Sequence, residues 1–128
     1  MLQVLIAAVA GYAFGAVWYM ALAKPWVKAT GIEVDDNGRP TNNSPIPFIV
    51  AFISAIVVAG MMRHMFSMAG IDTVGKGFVT GLGLGLFVVV PWMVNNIMFG
   101  DRDKNLIWID GGYAAGGCAV IGLVLALF

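Results

Sequence analysis

The stretch PWMVNNIMFGDRDKNLIWIDGGY, residues 91–113, decides how the chain folds. It ends one apolar segment, turns through the charged residues between Phe99 and Asn105, and opens a second apolar segment. Apolar segments on both sides of a short polar turn predict two membrane-spanning helices joined by that turn. The same stretch places Asn95, Asn96 and Asp110 near the helix ends, where polar side chains are solvated well neither by lipid nor by water.

Composition indicates that the whole chain lies in a membrane. Of its 128 residues, 60% are hydrophobic and only 11% are charged, and the mean hydropathy is +0.90. A soluble domain of this length could not bury so much apolar surface, so lipid is the expected solvent. Seven basic and seven acidic residues cancel, which leaves no basic surplus for nucleic acid. We therefore expect the lipid bilayer as a partner and no nucleic acid.

Outward from the central stretch, four apolar segments predict an all-α, polytopic membrane protein. Each segment is long enough, at about 1.5 Å per residue, to cross roughly 30 Å of hydrocarbon. The run from Lys24 to Gly31, with Pro25 near its start, predicts a short interfacial helix. Residues 1–128 are expected to form a single membrane domain, a compact antiparallel bundle of four transmembrane helices at about 1–23, 46–68, 75–98 and 106–128, with a polar loop at 29–45.

Small residues recur at four-residue spacing on each predicted helix. Because lipid removes the hydrophobic drive between helices, association depends on close packing, and small residues permit it. The stripes predict tight packing with little internal volume, which disfavours a wide pore, and they leave open a homo-oligomer. The glycines of the run Gly81 to Gly85 are likewise assigned to packing. The packing candidates are Gly11, Gly15, Ala55, Gly81, Gly85, Gly112 and Gly116.

Polar and amphipathic side chains are predicted to meet at one level of the membrane. A charged and unpaired Asp110 would cost several kcal/mol in lipid, so it should face the other helices. We expect it to accept hydrogen bonds from Asn95, Asn96 or Tyr19, or to pair with Lys24 or Arg102. An interhelical clasp and a substrate or proton site both remain open. The candidate polar cluster is Trp18, Tyr19, Asn95, Asn96, Asp110 and Tyr113.

The run MMRHMFSM, residues 61–68, offers a weaker alternative site. Met61, His64, Met65 and Met68 share one helical face, and thioether and imidazole ligands suit Cu(I). Methionine is also an ordinary filler of apolar cores, and no cysteine pair or methionine motif stands on another helix. We therefore expect no metal and no cofactor. His64 is placed at the opposite membrane face from Asp110, so no Ser-His-Asp arrangement is expected.

Motifs in both halves of the chain carry a family resemblance. The runs Gly15 to Tyr19 (GAVWY) and Lys24 to Lys28 (KPWVK), the residues Pro91, Asn95, Phe99 and Gly100, and the run Ile109 to Tyr113 (IDGGY) resemble the domain-of-unknown-function 1761 family. The resemblance implies a small bacterial membrane protein with four helices and implies no activity, cofactor or catalytic residue. Asp110 stands where the family pattern has asparagine, which favours a titratable group.

Basic residues predict the orientation, because they mark cytoplasmic loops. The first and third loops are the more basic ones, so we expect them inside a bacterial inner membrane and both termini outside. They carry Lys24, Lys28, Arg39, Arg102 and Lys104.

The thin apolar scaffold favours a non-enzymatic accessory or interaction subunit, as a homo-oligomer or as part of a larger membrane complex. The alternative is a small transporter or channel-like carrier with its polar site at the inner face. A membrane enzyme acting on a lipid is the weaker alternative, because it would need an acid–base or metal-binding pair at that face.

Overall fold

The structure, a computed structural model, describes residues 1–42 and 44–128. Within them, four helical segments are long and apolar enough to span a membrane, which confirms the predicted all-α fold class. The third of these, Val74–Phe99, consists of two α-helices joined by the π-helical turn Gly85–Val89. In chain order the helices are α1 Leu2–Ala21, α2 Ala23–Thr30, α3 Ile46–Ala69, α4 Val74–Leu84, α5 Val90–Phe99 and α6 Asn105–Leu125.

The observed spans begin and end within three residues of the predicted bounds. The short helix α2 follows α1 almost directly and ends at Gly31, which has a φ of 68°. Glycine is favoured there because the left-handed conformation costs it nothing. The compact antiparallel bundle and the single domain remain predictions.

The helix α6 lies at the centre of the observed contacts. It packs against α1, α2 and α3 and along the whole third span. Leu106 and Ile109 near its start are fully buried, and its burial continues to Leu125 near its end. The third span packs on α6 and leaves most of its own surface exposed, whereas α3 packs chiefly on α1. The helix that follows the central turn, α6, is therefore the one on which the other helices pack.

Glycine permits the third span to approach the backbone of α6. A Cβ atom at Gly81 would overlap the carbonyl oxygen of Cys118, and one at Gly85 would lie 2.6 Å from the carbonyl oxygen of Ala114. Any side chain at these positions would force the two helices apart. The prediction that every glycine of the run Gly81 to Gly85 serves packing is wrong for Gly83, because nothing lies within 4 Å of its Cβ position. At 100° per residue it points about 200° away from Gly81.

The contact between α1 and α6 is packed differently, because the glycines of α1 lie against bulky side chains of α6 and not against its backbone. A Cβ at Gly11 would lie 2.7 Å from Ile121, and one at Gly15 would lie 2.5 Å from the Tyr113 ring. The exchange is reciprocal, since α1 places large rings on two glycines of α6. Those pairs are Trp18 on Gly112 and Phe14 on Gly116.

The contact between α1 and α3 is an apolar cluster of small and large residues. Ala7 and Ala8 of α1 are fully buried there, and Ala55 of α3 is 7% exposed. Met62 and Phe66 extend the cluster toward the end of α3. Ala55 thus lies in the helix contact for which the sequence proposed it.

The π-helical turn in the third span lies directly before Pro91. Proline has no N–H, so the carbonyl oxygen of Phe87 lacks its regular helical donor. The N–H of Val90 reaches instead to the carbonyl oxygen of Gly85, five residues back. The wider turn lets the span continue past the proline while Gly85 stays against α6.

Candidate functional site

Hydrogen bonds join the end of α1 to the beginning of α6. The Tyr19 hydroxyl donates to Oδ1 of Asp110 at 2.7 Å, and the Trp18 Nε1–H donates to the carbonyl oxygen of Ile109, also at 2.7 Å. Both bonds are partly buried. Gly112 makes the second bond possible, because the absence of a side chain lets the indole ring lie against α6. Of the partners expected for Asp110, the structure supplies Tyr19.

An aromatic cluster surrounds this hydrogen-bonded pair. Tyr113 meets Tyr19 edge to face at 5.3 Å between ring centroids, and it stacks on Phe14 at 6.5 Å. Phe14 also stacks on Trp18 at 5.8 Å, and Trp26 of α2 meets Tyr19 at 6.2 Å. Such separations are those of favourable aromatic pairs, so the rings hold one another in place. Sequence reasoning did not include Phe14 in the site, although it precedes Trp18 by one helical turn.

Asn95 and Asn96 do not belong to this site, and the expectation that they would bond Asp110 is corrected. Both side chains are exposed, and neither forms a side-chain hydrogen bond within the described residues. The reason is helical phase. The face of α5 that meets α6 carries Met93 and the buried Ile97, which turns both asparagines toward the surroundings.

The expected ion pairs of Asp110 are corrected as well. Over residues 1–42 and 44–128, the one ion pair joins Lys76 to Asp72 at 3.7 Å, and it is exposed. Lys24 and Arg102 are exposed and lie beyond salt-bridge distance of Asp110. The carboxylate is thus held by an aromatic hydroxyl.

An apolar groove of about 700 Å³ runs beside the aromatic cluster. Tyr19 and Tyr113 contribute to its wall, so the hydrogen-bonded pair and the groove share a side chain. Among the residues that the structure describes, Arg39 is the one charged residue that lines it. The lining consists of Tyr12, Gly15, Ala16, Tyr19 and Met20 from α1, Ala23, Trp26 and Val27 from α2, Gly38 to Pro40, Pro47, Phe48 and Ala51 at the start of α3, and Tyr113 from α6.

A tight turn contributes Gly38 and Arg39 to the lining of the apolar groove. The Asp35 N–H donates to the carbonyl oxygen of Arg39 at 2.7 Å, and Oδ1 of Asp35 accepts the N–H groups of Asn37 and Arg39 at 2.9 and 3.0 Å. Gly38 has a φ of 77°, the left-handed conformation that such a turn requires. The turn therefore fixes Gly38 and Arg39 at the groove.

The helix α2 forms a wall of the groove and has two different faces. Trp26 and Val27 line the groove and are half-buried. Lys24 and Lys28, four residues apart, are exposed. An amphipathic helix of this kind, beside the end of a span, fits the membrane–water interface for which the sequence proposed it.

The methionine–histidine face of α3 is largely exposed. Met61 and Met68 are 57% and 76% exposed, His64 is exposed, and Met65 is half-buried. The inward face at this level carries Met62 and Phe66. In the described part of the chain, no three His, Cys, Asp or Glu residues are grouped to hold a metal ion. The weak copper alternative therefore remains a prediction.

A family model described as "Protein of unknown function (DUF1761)" matches residues 2–126. Comparison with curated proteins and with solved structures gave no match. Because the family model covers nearly the whole chain, the protein belongs to the DUF1761 family.

Proposed function

We propose that this member of the DUF1761 family is a non-enzymatic membrane protein that binds the hydrocarbon chain of a membrane amphiphile in its apolar groove. The observation that carries the proposal is the groove itself, which has about 700 Å³ and an almost wholly apolar lining. Ligand sites typically have about 300–1,000 Å³, apolar walls and few polar groups. An occupant can reach the groove from the bilayer, because Met20 and Phe48 at its edges are 75% and 67% exposed.

The polar pair beside the groove supports a binding role. The Tyr19 hydroxyl is engaged by Asp110, so the ring is fixed as part of the wall. Tyr113 contacts Tyr19 and is itself backed by Phe14. A wall whose side chains are already ordered costs little entropy when a ligand binds. Tyr19 and Asp110 therefore act as positioning residues.

Filling the groove tests the proposal. Ala16 lines it and is exposed, so Ala16→Phe places a ring in the groove without replacing a buried side chain. Ala13→Phe is the matched control, because Ala13 is exposed on the same helix outside the lining. Native mass spectrometry of protein released from mixed phospholipid micelles should show less bound lipid for Ala16→Phe than for Ala13→Phe. Equal lipid on both variants would overturn the proposal.

An interaction subunit is the second candidate, and Gly83 favours it. In the third span, Gly77, Gly81 and Gly85 are covered by α6, whereas Gly83, like Gly75 at the start of the span, meets nothing within 4 Å. Its neighbours on that face include Phe87, which is 79% exposed. A glycine on an outward apolar face permits close approach of another helix, either of a second copy or of a larger membrane complex.

The test of the second candidate is the mass of the protein in mild detergent, measured by light scattering. The parent should form a defined homo-oligomer or retain a stoichiometric partner. Gly83→Leu should reduce that assembly, whereas the control Val88→Leu should keep it, since Val88 is exposed and already bulky. A monomeric, partner-free parent would exclude this role.

We also propose the orientation given by the basic residues. The loops with Lys24, Lys28, Arg39, Arg102 and Lys104 would lie on the cytoplasmic side of a bacterial inner membrane, with both termini outside. A carboxy-terminal alkaline phosphatase fusion should then be active and a fluorescent-protein fusion dark. The opposite pattern would reverse the orientation.

A further inference from the structure

We infer that Arg39 makes the apolar groove selective for an anionic phospholipid, an inference that rests on the function proposed above. Of the lining residues in the described part of the chain, Arg39 is the one that carries a charge. No carboxylate oxygen of the described residues lies within 4.0 Å of its guanidinium group. A cation at the end of an apolar groove is complementary to a molecule with a hydrocarbon chain and an anionic headgroup.

The turn that holds Arg39 leaves its charge available. The nearby carboxylate of Asp35 accepts the backbone N–H groups of Asn37 and Arg39, so it holds the turn and makes no ion pair with the guanidinium group. The turn is anchored further by the antiparallel bridge between Val34 and Pro40. Arginine is the basic residue best suited to phosphate, because its planar group donates two parallel hydrogen bonds.

The position of the groove agrees with such an occupant. The apolar face of α2 lines it, while Lys24 and Lys28 are exposed on the other face. A basic amphipathic helix of this kind lies in the plane of the headgroups and attracts anionic lipids. One acyl chain would lie between α1 and α3, and the phosphate would stand at the level of α2, beside Arg39. The chemistry therefore points to a phospholipid of the bilayer leaflet on that side.

The experiment offers the full-length protein equimolar phosphatidylglycerol and phosphatidylcholine in mixed micelles and measures the bound lipids by native mass spectrometry. The parent should enrich phosphatidylglycerol about fivefold, the effect expected of one basic residue beside an anionic lipid. Arg39→Gln should bring the ratio close to one while total bound lipid stays the same, and Arg39→Lys should restore part of the preference. Arg102→Gln is the matched control, because Arg102 is exposed and does not line the groove.

The outcomes separate this inference from the proposed function. If Ala16→Phe lowers the bound lipid and Arg39→Gln keeps the parent's lipid ratio, the role of Arg39 is wrong and the groove remains a lipid site. A parent without headgroup preference would overturn the role of Arg39 in the same way. If Ala16→Phe retains as much lipid as Ala13→Phe, the proposed function is wrong, and the role of Arg39 in the groove is wrong with it.

Discussion

Replacing Gly81 by alanine tests whether the third span really packs backbone to backbone on α6. The added Cβ would overlap the carbonyl oxygen of Cys118 and lie 2.9 Å from its carbonyl carbon. Neither atom can rotate away, as the tip of a flexible side chain could, so the two helices must move apart. Overpacking of this kind costs about 1–3 kcal/mol, and a backbone obstacle places the cost at the upper end.

Gly83→Ala supplies the control for the same chemical change. Nothing lies within 4 Å of its Cβ position, and it belongs to the same helix. Alanine gains about 0.5–1 kcal/mol over glycine in a helix at both positions, so this gain cancels in the comparison. We therefore expect Gly81→Ala to be less stable than Gly83→Ala by about 2–3 kcal/mol.

The assay is reversible unfolding in mixed micelles of a mild detergent and dodecyl sulfate, followed by circular dichroism. Both variants should fold, and the unfolding midpoint of Gly81→Ala should fall at a lower dodecyl sulfate fraction. For the monomeric protein, midpoints that coincide would refute the packing of α4 on α6, because within one chain only that contact distinguishes the two positions. A lower midpoint for Gly83→Ala would instead indicate that the outward face is the packed one.

The same unfolding assay tests the hydrogen bonds of the site. Tyr19→Phe should lower the free energy of unfolding by about 1 kcal/mol, whereas Asp110→Asn keeps an oxygen acceptor for the Tyr19 hydroxyl and should lower it less. Alanine at Asn95 or Asn96 should change it by less than about 0.5 kcal/mol because both side chains are exposed, and a larger loss would return them to the site. Thr73→Ala should cost about 1 kcal/mol, since the Thr73 hydroxyl accepts the N–H of Lys76 in the first turn of α4 at 3.2 Å, and an unchanged midpoint would contradict that cap.

The membrane spans could be predicted from the sequence because their signal is local. A run of about twenty apolar residues identifies a span wherever its neighbours lie. The same holds for α2, whose end is set by Gly31 and whose basic residues recur four apart. The partner of Asp110 was among the expected ones, since a carboxylate near a helix end needs a donor and Tyr19 ends α1.

The rest of the site depends on helix rotation, which periodicity determines poorly when a helix is apolar all round. Asn95 and Asn96 lie on α5, yet Met93 and Ile97 occupy the face of that helix toward α6. The sequence carried no sign of the groove, because its walls come from segments far apart in the chain. Arg39 resembled any other loop residue until the turn made by Asp35 placed it at the groove.

The two contacts of α6 explain why open space occurs on one side and not on the other. Toward the third span, glycine meets backbone, and the helices lie too close for a void. Toward α1, rings such as Tyr113 and Trp18 are inserted between the helices and hold them farther apart. Tyr19 and Tyr113 line the groove together with Phe48 and Ala51 of α3. Under the proposed function, this apolar space of about 700 Å³ holds the hydrocarbon chain of a membrane amphiphile. The proposed selection of an anionic lipid over an ordinary one then depends on the charge of Arg39.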